Sequence, residues 1–156
     1  MGNYIQKISF SSKPISVYPS YRPMYRITQN LMILKFNCNA NKASLLKLHL
    51  FSWGLKQEQN LEKLKDFVTS NFVNKIEYFS IEPSLNRALK LAEFEGLIGF
   101  DGTKYFLKEK GDAFLNMVLK DNSIFKYEIQ MLKFIGKKIN ENRILQLQQN
   151  WLNASS

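Results

Sequence analysis

The segment from Pro83 to Phe114, PSLNRALKLAEFEGLIGFDGTKYFLKEKGDAF, restricts the fold of this chain more than any other stretch. Pro83 and Ser84 suit a helix start, where a fixed φ is favourable and a missing N–H is tolerated. Leu85, Ala88, Leu89, Ala92 and Gly96 then recur at helical spacing on one face, and Gly96 supplies a stop. Asp101-Gly102 lies between two short apolar runs, Leu97 to Phe100 and Thr103 to Leu107. That is two-residue hairpin chemistry, since such turns need positive φ to match strand twist. Lys108 to Leu119 resumes helical spacing through Phe114, Leu115, Val118 and Leu119. Helix, tight hairpin, helix is the order of a winged helix, and also of any unrelated helix followed by a hairpin; a winged helix serves DNA or protein partners alike.

Upstream, residues 1–22 alternate Ile8, Phe10, Ile15 and Val17 with polar neighbours and end in YPSYRP, the pattern of an extended arm or edge strand. Met24 to Phe36 puts Ile27, Leu31 and Leu34 on one helical face. After a polar break, Asn37 to Asn41, the helix Ala43 to Leu55 is apolar almost all round, with Leu46, Leu50 and Trp53 among its residues, so it must be covered on most sides. Gln57 to Ser70 repeats the helical pattern, and the content of Ile76 to Phe79 predicts a short strand. Ile124 to Ile139 and Asn142 to Leu152 read as further helices, the last with Ile144, Leu147 and Trp151 on one face. The predicted fold is mainly α with a small β-hairpin: a winged helix-turn-helix over 23–121, an extended N-terminal arm over 1–22 and a C-terminal helical extension over 122–156.

The net charge of +9 points to an acidic partner, but its distribution matters more. Residues 1–57 carry Lys7, Lys13, Arg22, Arg26, Lys35, Lys42, Lys47 and Lys56 and no Asp or Glu; from Glu58 onward 14 basic residues face 13 acidic ones. If nucleic acid is bound, Arg22, Arg26, Lys42 and Lys47 are its candidates, with Lys90 and Lys104 from the later segment; a merely solvated surface is the equal alternative. The single cysteine, Cys38, excludes an internal disulfide, and the single histidine, His49, offers no zinc spacing, so both are expected to be packing residues. No run approaches the roughly 18 to 20 apolar residues of a membrane span, and MGNYIQKISFSSKP lacks the apolar core of a secretory signal. A cytosolic product without a membrane partner is expected. Neither GxxxxGK[ST] nor GxGxxG occurs, and neither does a nucleophile elbow or a metal-ligand cluster. The expectation is a protein that is not an enzyme, with no cofactor and no small-molecule substrate. Glu93 and Glu95, two apart on a helix, point in different directions and read as a solvated pair.

At 100° per residue, the helix face opposite Leu85 and Ala92 is centred on Arg87, Lys90, Leu91 and Phe94. Arg87 and Lys90 suit phosphates or guanine edges. Leu91 and Phe94 do not; beside an arginine they have the composition of a protein-interface hot spot, unless the C-terminal helices cover them. With Glu93 and Glu95 counted the helix carries no net positive charge, and the hairpin tip offers Asp101 with only Lys104.

Several of these stretches also match a known family. RPMYR at the end of the arm, ASLLKLHLFSW, PSLNRALKLAEFEGLI, YFLKEKGDAFL and the C-terminal Trp151 together resemble the small winged-helix middle component of bacterial ABC three-component defence systems, such as the Lamassu accessory subunit. The likeness runs from about Pro14 to Trp151. It implies a non-catalytic adaptor that bridges an SMC-like ATPase and an effector nuclease, with the arm, the Ser44 to Leu55 helix and the C-terminal helices as docking surfaces. On that reading partner contacts fall to Leu91, Phe94, Arg87, Leu50, Trp53 and Trp151, and auxiliary DNA contact to the basic N-terminal third. The alternative from the residues is a stand-alone homodimeric transcription regulator whose helix at 83–96 enters the major groove.

Overall fold

The computed structural model describes residues 23–121 and 123–154, so the expected arm lies outside the described residues. The protein is mainly helical with a small three-stranded antiparallel sheet. In chain order the elements are α1 (Pro23–Asn37), a 3₁₀ turn (Asn39–Asn41), β1 (Lys42–Ala43), α2 (Leu45–Lys56), α3 (Glu58–Thr69), α4 (Pro83–Phe94), β2 (Ile98–Phe100), β3 (Tyr105–Leu107), α5 (Glu109–Val118), α6 (Lys126–Ile135) and α7 (Glu141–Ala154).

Helix α1 runs through the middle. It contacts α2, α4, α5, α6 and β3, and Met24, Ile27, Leu31, Met32, Ile33 and Leu34 are all at most 1% exposed. The sequence suggested one apolar face through Ile27, Leu31 and Leu34; Met32 and Ile33 are as deeply buried, so the helix is covered all round. Each such aliphatic side chain contributes about 1.5–3 kcal/mol on burial. Its buried polar side chains need partners in that dry setting. Thr28 Oγ1 donates to the Met24 carbonyl at 2.7 Å and Asn30 Nδ2 to the Arg26 carbonyl at 2.9 Å. Asn37 Nδ2 reaches the carbonyls of Leu132 and Gly136 at 2.9 and 2.8 Å, fastening the end of α1 to the end of α6.

Helix α2 is apolar nearly all round, as expected, and Lys47 to Leu55 are buried without a break. It begins at Leu45 rather than Ala43, because Ser44 caps it, its Oγ accepting the Lys47 N–H at 3.2 Å. Lys42 and Ala43 are thereby freed to pair with Phe106 and Tyr105, and β3 pairs on its other edge with β2, giving the order β1-β3-β2. The strand expected at Ile76 to Phe79 is not formed. A strand would put residues 76 and 78 on the same side, but Ile76 is 4% exposed and Tyr78 73%. Ile76 and Phe79 act instead as two anchors of an irregular strap over residues 71–82. Phe79 sits between Trp53 and Trp151, at ring-centroid distances of 6.4 and 4.7 Å, and Trp151 Nε1 donates to the Ile76 carbonyl at 3.1 Å.

The hairpin is present but its turn is one residue later than expected. The Asp101 N–H donates to the Lys104 carbonyl at 3.0 Å, so Gly102 and Thr103 are the central pair, and only Gly102, at φ +102°, has positive φ. Helix α6 is shorter than expected because Phe125 and Gly136 both take left-handed φ and bound it. It packs on α1 and α3 while α7 packs on α2, and Leu132, Ile135, Ile144 and Leu147 join the same core as α1.

Helix α5 lies close enough to the start of the hairpin that a Cβ on Gly111 would stand 2.1 Å from the Leu97 carbonyl oxygen. Backbone cannot swing aside as a side chain can. Gly111→Ala should therefore lower stability by about 1–3 kcal/mol, outweighing the roughly 1 kcal/mol that alanine gains in a helix interior. Urea denaturation measures this, and an unchanged or raised midpoint would contradict the close approach.

Candidate functional site

Helix α4 presents the face that the sequence singled out. Leu85, Ala88, Leu89 and Ala92 are buried, and the helix packs on α1. Its end is a Schellman motif: Gly96, at φ +76°, donates to the Glu93 carbonyl and Leu97 to the Ala92 carbonyl, both at 2.9 Å. On the outer face Arg87 and Lys90 are exposed and Leu91 is half-buried against the core. Phe94 is 78% exposed. The C-terminal helices do not cover it, which decides between the two expectations for this residue in favour of an open aromatic. Nearby on β2, Phe100 is also exposed and lies 4.7 Å from the Tyr105 ring. Glu93 is exposed as expected, but Glu95 is buried with one carboxylate oxygen unpartnered among the described residues, so the two are not a solvated pair.

The hairpin tip is organised around a carboxylate. Asp101 Oδ1 accepts from the Lys104 N–H at 2.8 Å, the Thr103 N–H at 2.9 Å and the Thr103 hydroxyl at 3.0 Å. The backbone donor of Lys104, then the two donors of Thr103, hold this carboxyl down at about 2. Lys42 Nζ approaches its other oxygen at 3.7 Å, and Lys104 is half-buried. A tip of this kind is a poor grip for phosphate.

The described part of the acid-free N-terminal third, residues 23–57, is not a free positive surface. Every ion pair among the described residues joins a cation before residue 57 to a carboxylate beyond residue 81: Arg26 and Lys56 to Glu82, Lys35 to Asp112, and Lys42 to Asp101. Arg26 is buried. Lys47 is buried too, its Nζ donating to the Asn37 carbonyl at 2.8 Å, and burial pushes its pKa down. Of the four nucleic-acid candidates in this third, Arg26 and Lys47 are structural, Lys42 is paired, and Arg22 lies outside the described residues. Cys38 and His49 are core residues, burial lifting the thiol to about 11 and lowering the imidazole. Among the described residues no three His, Cys, Asp or Glu side chains are grouped to hold a metal, and no helix is long and apolar enough to cross a membrane.

Of the docking residues expected from the helix at 44–55, Leu50 is fully buried and Trp53 is 8% exposed, so both serve the core and neither offers a surface. Trp151 is half-buried on the strap. There, Leu46, Tyr78, Phe79, Ile81, Trp151 and Leu152 line an apolar groove of about 530 Å³. Two polar clefts along the strap were missed by the sequence reading. Their signal in the sequence is the polar stretch Asn71 to Lys75, which that reading leaves without a role, followed by the residues Ile76 to Phe79 that were expected as a strand. Comparisons of the chain with protein-family models, curated proteins and solved structures give no match.

The Glu82 pairing gives a pH dependence with a definite sign. Burial alone would raise this carboxyl, but hydrogen bonding from Lys56 and the charge of Arg26 outweigh it, and the net shift is below 4.5. A depressed folded pKa contributes stability that is present above the unfolded value and is lost as pH falls through the folded one. The urea midpoint should therefore fall below pH 4.5 by a component that Glu82→Gln removes. At pH 7 that substitution, by leaving Arg26 buried without its carboxylate, should cost about 3 kcal/mol. Equal acid sensitivity and equal stability in both proteins would contradict the pairing.

Proposed function

We infer that the chain is a winged helix used for protein docking, a non-catalytic adaptor with α4 as its contact face. The observation that carries this is Phe94. A large aromatic exposed by 78% at the end of the helix before the hairpin, on the same helix face as Leu91 and Arg87, has the make-up of an interface anchor, since aromatics beside arginine are typical hot spots of protein interfaces. The order α1-β1-α2-α3-α4-β2-β3 with sheet order β1-β3-β2 supports the winged-helix reading, with α4 in the position of a recognition helix. A carboxylate-centred hairpin tip and the commitment of Arg26 and Lys47 to the interior speak against phosphate gripping by this face. The resemblance of the sequence to the middle component of three-component defence systems names the partners in this reading: an SMC-like ATPase and an effector nuclease.

Arg87 and Lys90 are exposed on the same face, which keeps a homodimeric DNA-binding regulator as the second reading. Co-expression of the tagged full chain with the products of neighbouring genes separates the two. Phe94→Asp is expected to change the unfolding free energy by no more than about 0.5 kcal/mol, as for other exposed positions, and to weaken the complex by roughly thirtyfold, the scale of a hot-spot anchor. An undiminished complex, together with duplex-DNA binding that Arg87→Ala abolishes and salt steeply weakens, would overturn the adaptor reading.

A further inference from the structure

A second group of unpaired cations lies away from α4. Lys63 on α3, Lys75 on the strap and Arg143 on α7 form no ion pair among the described residues, and all three line polar clefts. The first cleft, of about 670 Å³, runs between the end of α2, the start of α3 and the strap; it holds Lys63 and Lys75, with Tyr78 as its exposed aromatic wall. The second, of about 390 Å³, lies between the strap and α7 and holds Arg143 over Phe72. Lys75 lines both, so the two adjoin.

We propose that this double cleft binds a short segment of single-stranded nucleic acid. Three chemistries converge on that ligand. The lysines and the arginine match a chain of phosphates, and Glu77 is the one carboxylate among the described residues that line either cleft. Tyr78, 73% exposed, provides a face on which a base can stack. The Arg143 guanidinium carbon stands 3.8 Å from the Phe72 ring centroid, a second π surface with a charge on it. The exposed amides of Gln57 and Gln59 in the first cleft and of Asn150 in the second supply donors and acceptors for base edges. An acidic peptide would use the cations but leave the aromatic faces and amides idle. A duplex hides its bases from stacking and gains little from a cleft. The site shares no residue with α4 and needs neither Phe94 nor any defence partner, so its failure would leave the adaptor reading untouched.

The test is fluorescence anisotropy of the full-length protein with a labelled oligothymidylate, against an unlabelled duplex of equal length and a polyglutamate peptide as competitors. The single strand is expected to bind and to be displaced by neither competitor at equal concentration. Tyr78→Ala should weaken binding about tenfold. Lys75→Ala should weaken it and reduce the slope of log affinity against log salt by about 0.7, the share of one phosphate contact on a single strand. Lys120→Ala, outside the clefts, should change neither. All three side chains are exposed, and circular dichroism verifies that each variant folds. Absence of binding by the unaltered protein, displacement by polyglutamate, or binding insensitive to Tyr78→Ala and Lys75→Ala would each overturn the proposal.

Discussion

The burial of helix α1 is the constraint on which the other elements depend. Its aliphatic residues point in all directions and are all covered, so α2, α4, α5, α6 and β3 are placed by the need to cover them. Hydrophobic burial alone is non-directional, and what fixes α4, α5 and α6 against α1 is polar. Near its N-terminus Arg26 holds Glu82, the residue immediately before α4. Near its C-terminus Lys35 holds Asp112 in the first turn of α5, where a carboxylate is also favoured by the helix dipole. Asn37 holds the last carbonyls of α6. Direction therefore comes from three polar side chains of α1 and adhesion from the apolar surface between them.

This division explains the charge pattern along the chain. An N-terminal third with cations and no carboxylates looks like a nucleic-acid surface when read as a line. Folded, its described part supplies one half of a set of long-range pairs whose other half is Glu82, Asp101 and Asp112. Exposed pairs such as Lys42 with Asp101 add little stability, while Arg26 with Glu82, largely out of water, is costly to break. Among the described residues the surface cations left unpaired accordingly lie beyond residue 57, Lys63, Lys75 and Arg143 among them, and the outer face of α4 combines the exposed Phe94 with Arg87 and Lys90.

The helices were legible in the sequence because their apolar spacing is set locally. Pro83, Gly96 and the Leu85 to Ala92 stripe placed α4 and both its faces correctly, and the unbroken apolar run of α2 announced its burial. What escaped was decided by partners distant in sequence. Lys42 and Ala43 form a strand only because β3 lies beside them, and the β-forming residues 76–79 do not because Trp53 and Trp151 take Phe79 from two sides. The same limit affected the site: exposure of Phe94 was one of two open readings until the positions of α6 and α7 were known, and no periodicity could tell that Leu50 and Trp53 face the core or that Lys63, Lys75 and Arg143 share adjoining clefts.

Native-state amide hydrogen exchange tests the central role of α1 most directly. If the other elements are organised around it, the amides from Leu31 to Leu34 exchange only through global unfolding and are the slowest in the protein, while α7, with exposed Leu145 and Leu152 on its outer side, opens at lower free energy. Exchange in α1 as fast as in α7, or through local opening that leaves α3 and α4 protected, would contradict the account.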